Sequence, residues 1–166
     1  RSTLDRSAAA SDVYKRQGLA FSPYERILYV ANTRRDNDCQ QEKERGGVCT
    51  HQFINAYDIA PDGTATSSRL FADMHSAEDG VPDGMKVDIE GRVYCTGPEG
   101  VWVFDAQGNH LGIIRLTEIP ANCAWGGPDN RTMFFTARHS IFTMRMKTPG
   151  TWKFKCVGVY LVAPHR

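Results

Sequence analysis

Three oxygen-bearing side chains open three similar segments of the chain. Gln17 precedes "GLAFSPYERILYVANT", Asp83 precedes "GMKVDIEGRVYCTGP", and Asn122 precedes "CAWGGPDNRTMFFTAR". One carboxylate and two amide oxygens, converging from like positions, form part of a cage for a hard cation such as Ca²⁺, which takes about six to eight oxygen ligands. A plainer reading exists for each residue. "PDG" is a common turn, and an Asp or Asn there caps nearby backbone N–H groups. The turn reading does not predict a shared register, and the metal reading does.

Other reactive residue types lack a pattern. The five His (His51, His75, His110, His139 and His165) show no ligand spacing. No Ser stands in a G-x-S-x-G elbow. Asp88 ("VDIEG") and Asp105 ("FDAQG") each precede a Gly-containing turn and read as turn residues. Arg138 closes the second strand of its repeat and is placed at the rim of the pocket; a solvated strand end is the alternative.

Each of the three segments is a short apolar strand, a turn ("SPYER", "DIEGR", "GGPDNR") and a strand of β-branched and aromatic residues. A third strand follows each hairpin: "FINAYDI", "GVWVFD" and "HSIFTMRM". In the first two repeats a turn and a fourth, more polar strand come next, "SRLFADM" and "HLGIIRL". Four antiparallel strands per unit, recurring at roughly 40 residues between the second and third, describe the blades of an all-β propeller. A β-sandwich also uses short, evenly spaced strands, but the in-phase repeat favours the propeller. About three blades are visible, and a closed ring needs at least about four, so the chain reads as a fragment. Its parts are a leader at 1–16, a partial β-propeller at 17–150 and an unassigned tail at 151–166. The first residues of innermost strands face one end of the propeller channel, where Gln17, Asp83 and Asn122 would meet.

Bulk properties exclude several classes. A net charge of +1 over 166 residues gives no electrostatic case for a nucleic-acid partner. No apolar run approaches the ~18 residues of a membrane-spanning helix, so the chain reads as soluble with no membrane partner; its compartment stays open. The leader "RSTLDRSAAASDVYKRQ" has no apolar core and is not a signal peptide. It resembles translated adapter sequence joined to a truncated reading frame. The five Cys form no CxxC pair. Cys95 and Cys123 read as buried thiols. Cys39 and Cys49 bracket a polar loop that a disulfide would close in an oxidising compartment. The insert Arg34–Gln52, dense in both charges, is either a solvated hairpin extension or a lid over the channel mouth.

"VPDGMKVDIEGRVYCTGPEGVWVFDAQGNHLG" and "PANCAWGGPDNRTMFFTARHSIFTMRMKTPG", with "GLAFSPYERILYVANT", resemble the C-terminal half of the gluconolactonase, senescence marker protein (regucalcin) and luciferin-regenerating enzyme family. The resemblance covers about residues 17 to 150. It implies a six-bladed propeller with one divalent metal in the channel, Ca²⁺ or alternatively Zn²⁺, and hydrolysis of sugar lactones to aldonic acids. It implies that Asp83, in the PDG motif, is a metal ligand and, secondarily, a catalytic base. Gln17 falls in the slot of a family Asn ligand, a departure that weakens the site. Asn122 and Arg138 become pocket residues. The family's Glu ligand and its substrate-contacting Arg and Asn would lie upstream, so this chain by itself is expected neither to bind metal tightly nor to turn over. The rival readings are a related esterase or organophosphate hydrolase, and a non-catalytic calcium-binding or interaction propeller. Uncovered blade faces lead to an expectation of self-association.

Overall fold

The computed structural model describes residues 16–33 and 52–151. The leader up to residue 15, the Cys39–Cys49 loop, the insert at 34–51 and the tail from 152 lie outside the described residues. Eleven strands are present: β1 (Arg16–Phe21), β2 (Ile27–Thr33), β3 (Gln52–Ile59), β4 (Ala65–Asp73), β5 (Met85–Val87), β6 (Val93–Gly97), β7 (Gly100–Phe104), β8 (His110–Arg115), β9 (Pro120–Gly126), β10 (Thr132–Ala137) and β11 (Ile141–Arg145). They form three antiparallel sheets, β1-β2-β3-β4, β5-β6-β7-β8 and β9-β10-β11. Each sheet follows chain order from inside to outside, which is the blade pattern the repeats predict. Among the described residues there is no helix long and apolar enough to cross a membrane.

The turns follow from their residues. In "SPYER" the Ser22 hydroxyl accepts from the Ile27 N–H at 3.1 Å and the Ser22 carbonyl accepts from the Glu25 N–H at 2.9 Å. Asp105 caps its own turn, accepting from the backbone of Gln107 and Asn109, both at 2.9 Å. This matches its reading as a turn residue.

Two apolar layers hold the sheets together. Ala20, Tyr29, Ala31, Ile54, Ala56 and Ala72 of the first sheet pack on Met85, Val87, Val93, Cys95, Trp102 and Phe104 of the second. Small side chains on one face admit large ones from the next, which is how flat sheets fill the space between them. Tyr94 and Val101 on the other face of the second sheet pack on Cys123, Met133 and Phe135 of the third. Tyr94 and Trp125 meet edge to face, with ring centroids 5.5 Å apart. Cys95 and Cys123 are buried free thiols. Burial pushes both thiol pKa values up, that of Cys123 to about 12, so neither behaves as a nucleophile.

Candidate channel site

The innermost strands β1, β5 and β9 lie side by side and enclose a cavity of about 300 Å³. Its wall includes Leu19, Lys86, Val87, Trp125, Asn130 and Thr151. Hydrogen bonding explains how the strands approach so closely. The Gly84 N–H donates to the Ala121 carbonyl at 3.0 Å, across from the second sheet to the third. The Thr96 hydroxyl sits between the Gly84 and Ala121 carbonyls, at 3.2 and 3.1 Å. A side chain at Gly84 would meet Asn122, its Cβ 2.2 Å from Oδ1, and a Cβ at Gly18 would fall 1.7 Å from the Asp83 carbonyl oxygen. Both glycines are therefore required by the next strand's backbone or side chain, not by an unusual φ.

Asp83 lies just before β5, half-buried, with its N–H donating to the Thr96 carbonyl at 3.0 Å. Asp83 and Gly84 together face Thr96, two residues against one, which is a β-bulge. β1 has a register shift between Arg16 and Leu19, where it carries Gln17, and β9 has one next to Asn122. Gln17 belongs to β1, and its side chain lies outside the described residues. Bulges at such strand ends re-aim side chains and end regular pairing.

The sheet registers shift the third repeat by one residue against the sequence alignment. Leu19 pairs with Val30, Met85 with Cys95, and Cys123 with Phe135. Met85, Cys95, Cys123 and Phe135 all face the preceding sheet. Matching on these pairs sets Ala121, rather than Asn122, in the place of Asp83. Asn122 then matches Gly84. Its Oδ1 accepts from the Cys123 N–H at 2.8 Å, a local cap.

Arg138 is not the last residue of β10, which ends at Ala137. It stands exposed in the bend between β10 and β11, at the same end as Asn122 because Thr136 pairs with Asn122. Glu118 fixes that bend. Its carboxylate accepts from the His139 N–H at 2.8 Å and the Ser140 hydroxyl at 2.5 Å. These bonds, the Ser140 one first, hold its carboxyl below the usual range. Sequence reading missed Glu118, Lys86 and Thr96. Thr96 left a signal, since Thr136 takes the same place in the third repeat.

The donor set suits a hard cation in kind, because it offers oxygens. It does not suit one in number. Among the described residues no group of three His, Cys, Asp or Glu could hold a metal ion. The channel wall instead carries a cation, Lys86, whose ammonium donates to the Met85 carbonyl at 2.9 Å. A second cavity, about 770 Å³, is elsewhere, between the outer strands of the second and third sheets near Arg92 and Met146. It holds none of the predicted site residues.

A family model described as the SMP-30/gluconolactonase/LRE-like region matches residues 6–139, beginning inside the leader segment. The gluconolactonase of Zymomonas mobilis is 30% identical over 140 residues, covering 80% of this chain and 35% of its own. Among solved structures, a gluconolactonase of Xanthomonas campestris is 30% identical, covering 84% of this chain and 39% of that one, with a TM-score of 0.61. A calcium-binding regucalcin of Agrobacterium tumefaciens aligns at 20% identity over 84% of this chain and 48% of that one, with a TM-score of 0.62. The latter shows the fold alone. The chain spans about a third of the length of the curated relatives it matches.

Proposed function

We propose that this chain, which belongs to the SMP-30/gluconolactonase/LRE-like family, forms part of a hydrolase that opens sugar lactones. The observation that carries the reading is the identity with two gluconolactonases along most of the chain. The place of Asp83 just before β5, an innermost strand, supports it.

In the reaction, water adds to the lactone carbonyl carbon, the bond from that carbon to the ring oxygen breaks, and a proton passes from the water to that oxygen. The product is a hydroxy acid, which releases its carboxyl proton to solvent at neutral pH and becomes the carboxylate. A divalent cation, Ca²⁺ before Zn²⁺, would supply Lewis-acid polarisation of the carbonyl. Asp83 is its candidate ligand, with the Gln17 slot as a second. Because the donors present do not complete a cage, the remaining roles fall to the chain's own side chains. Asp83 accepts a proton from the attacking water. Lys86 places positive charge in the channel, where it favours an oxyanion and the carboxylate product. Asn122 and Arg138, the candidate pocket residues of the third sheet, lie outside the lining of the 300 Å³ cavity.

The test, on a full propeller that carries this segment, is hydrolysis of glucono-1,5-lactone followed by proton release, with and without added Ca²⁺ or a chelator. The expected result is a rate above the buffer rate that falls at least about 100-fold in Asp83→Ala. An Asp83→Ala protein as fast as the parent would sink the assignment of Asp83. A calcium-binding propeller without catalysis predicts Ca²⁺ binding lost in Asp83→Ala and no lactone turnover in either protein.

A further inference from the structure

We infer that Thr96 is a positioning residue: its hydroxyl clamps the Asp83–Gly84 bulge to the third sheet and so fixes where Asp83 stands. The clamp is a property of the fold. Its effect on turnover rests on the reading of Asp83 given above.

The polar groups of Thr96 all meet at this one junction. Its carbonyl accepts from the Asp83 N–H at 3.0 Å, and its N–H donates to the Gly84 carbonyl at 2.9 Å. Its hydroxyl oxygen stands 3.2 Å from the Gly84 carbonyl oxygen and 3.1 Å from that of Ala121. A hydroxyl has one proton, so this donor is shared between carbonyls of two different sheets. The side chain is fully buried.

The three sheets supply an internal comparison. Leu19, Met85 and Cys123 pair with Val30, Cys95 and Phe135, so Ala31, Thr96 and Thr136 hold one equivalent place. Ala31 has no hydroxyl. The Thr136 hydroxyl reaches the Asn122 carbonyl within its own sheet, at 3.4 Å. Among the described residues, Thr96 is the one at this place whose hydroxyl joins two sheets, and it is the one beside Asp83.

The bulge has little room to adjust. The Asp83 carbonyl oxygen lies 1.7 Å from where a Cβ at Gly18 would fall, and a Cβ at Gly84 would fall 2.2 Å from the Asn122 Oδ1. The two residues are thus wedged between the first and third sheets. A methyl in place of the Thr96 hydroxyl would sit 3.1 to 3.2 Å from two oxygens, closer than the roughly 3.3–3.6 Å of a C–H···O contact. Either the third sheet draws back or the bulge shifts, and Asp83 moves with it. Thr96→Val keeps the size and loses the hydroxyl, while Thr96→Ser keeps the hydroxyl and loses a methyl. A residue that only fills the core would tolerate Val and suffer from Ser. The clamp predicts the reverse.

The experiment compares both variants in a full propeller that carries this segment, with two readouts. The first is amide hydrogen exchange at Gly84, whose N–H makes the sheet-to-sheet bond to Ala121. Thr96→Val should speed that exchange about fivefold, with the Asp88 amide beyond the far end of β5 unchanged, and Thr96→Ser should match the parent. The second is lactone hydrolysis. Thr96→Val should lower kcat about tenfold with KM within about twofold, and Thr96→Ser should stay within about twofold of the parent in both. A Gly84 amide unmoved in Thr96→Val, or a Ser variant as impaired as the Val one, would overturn the proposal. Faster Gly84 exchange in Thr96→Val alone, in a propeller that opens no lactone, would leave the clamp standing and count against the lactonase reading.

Discussion

Asp83 and Asp88 stand at the two ends of one three-residue strand, β5, and the fold treats them differently. Asp88 is fully buried. Its Oδ1 accepts from the Glu90 and Arg92 N–H groups at 2.9 and 3.0 Å. Its Oδ2 takes the Arg92 Nε–H at 2.7 Å and the Tyr94 hydroxyl at 3.0 Å. Arg92 reaches on to Thr148, whose hydroxyl donates to Glu90 at 3.1 Å. Asp83 lies half-buried just before β5, its backbone tied to the second sheet and its carbonyl pressed on Gly18. A buried carboxylate whose acceptor sites are all taken serves the fold. Asp83, only half-buried, is the aspartate of the two that solvent can reach.

Substitutions can break this contrast. Asp88→Ala leaves the Arg92 guanidinium and the Tyr94 hydroxyl without their shared acceptor. Loss of one partner of a buried pair costs about 3–5 kcal/mol, and Arg92, at 28% side-chain exposure, belongs at the lower end. Urea unfolding should show a midpoint shift to match, and a shift under about 1 kcal/mol would remove Asp88 from its structural role.

A smaller effect tests the same network through pH. Burial, with the Asp88 charge second, raises the Tyr94 hydroxyl to about 12. The folded pKa is thus above the unfolded value of 10.0. The stability this provides is present below pH 10 and is lost as pH rises from 10 toward 12. The loss should be on the order of 2 kcal/mol, read as a falling urea midpoint between pH 9 and 11.5. Tyr94→Phe should flatten that slope.

The smallest stability change belongs to Asp83→Ala, expected within about 1 kcal/mol of the parent, although it is the substitution that should abolish turnover. A large stability loss there would merge the two aspartates into one structural class. A chain that keeps its stability and loses lactone opening would separate them fully.

The blades were legible because each strand repeats its apolar alternation and each turn repeats its Pro, Gly, Asp or Asn. That information is local, and it places β1 to β8 within a few residues. The third repeat was misregistered by one residue because "NCAWGG" has no glycine where "DGMKVD" has one, and β9 absorbs the difference in a bulge. Asp83 stands just before its strand as read, but the shared register that singled it out does not extend to Asn122, because Ala121 takes that place in the third sheet. Asp88 was read correctly as a turn residue, but its reach to Arg92, Tyr94 and Thr148 depends on residues up to about sixty positions away. No spacing rule encodes that. Glu118 was missed for the same reason, since its partners lie on the far side of a hairpin.

The segment from Met146 to Thr151 crosses back from the third sheet to the second. Gly150 bridges Asp88, Pro149 accepts from Ile89, and the Thr151 N–H donates to Val87 at 3.2 Å, while Asn130 binds both sides of Gly150. This crossing is a lock that can engage only after its counterpart exists. The second sheet must be made before the end of the third can dock, and neither can then open without the other. Residues 146–151 therefore secure two sheets at once. The first sheet, held by side-chain packing and a few backbone contacts, is left as the part free to exchange or fray on its own.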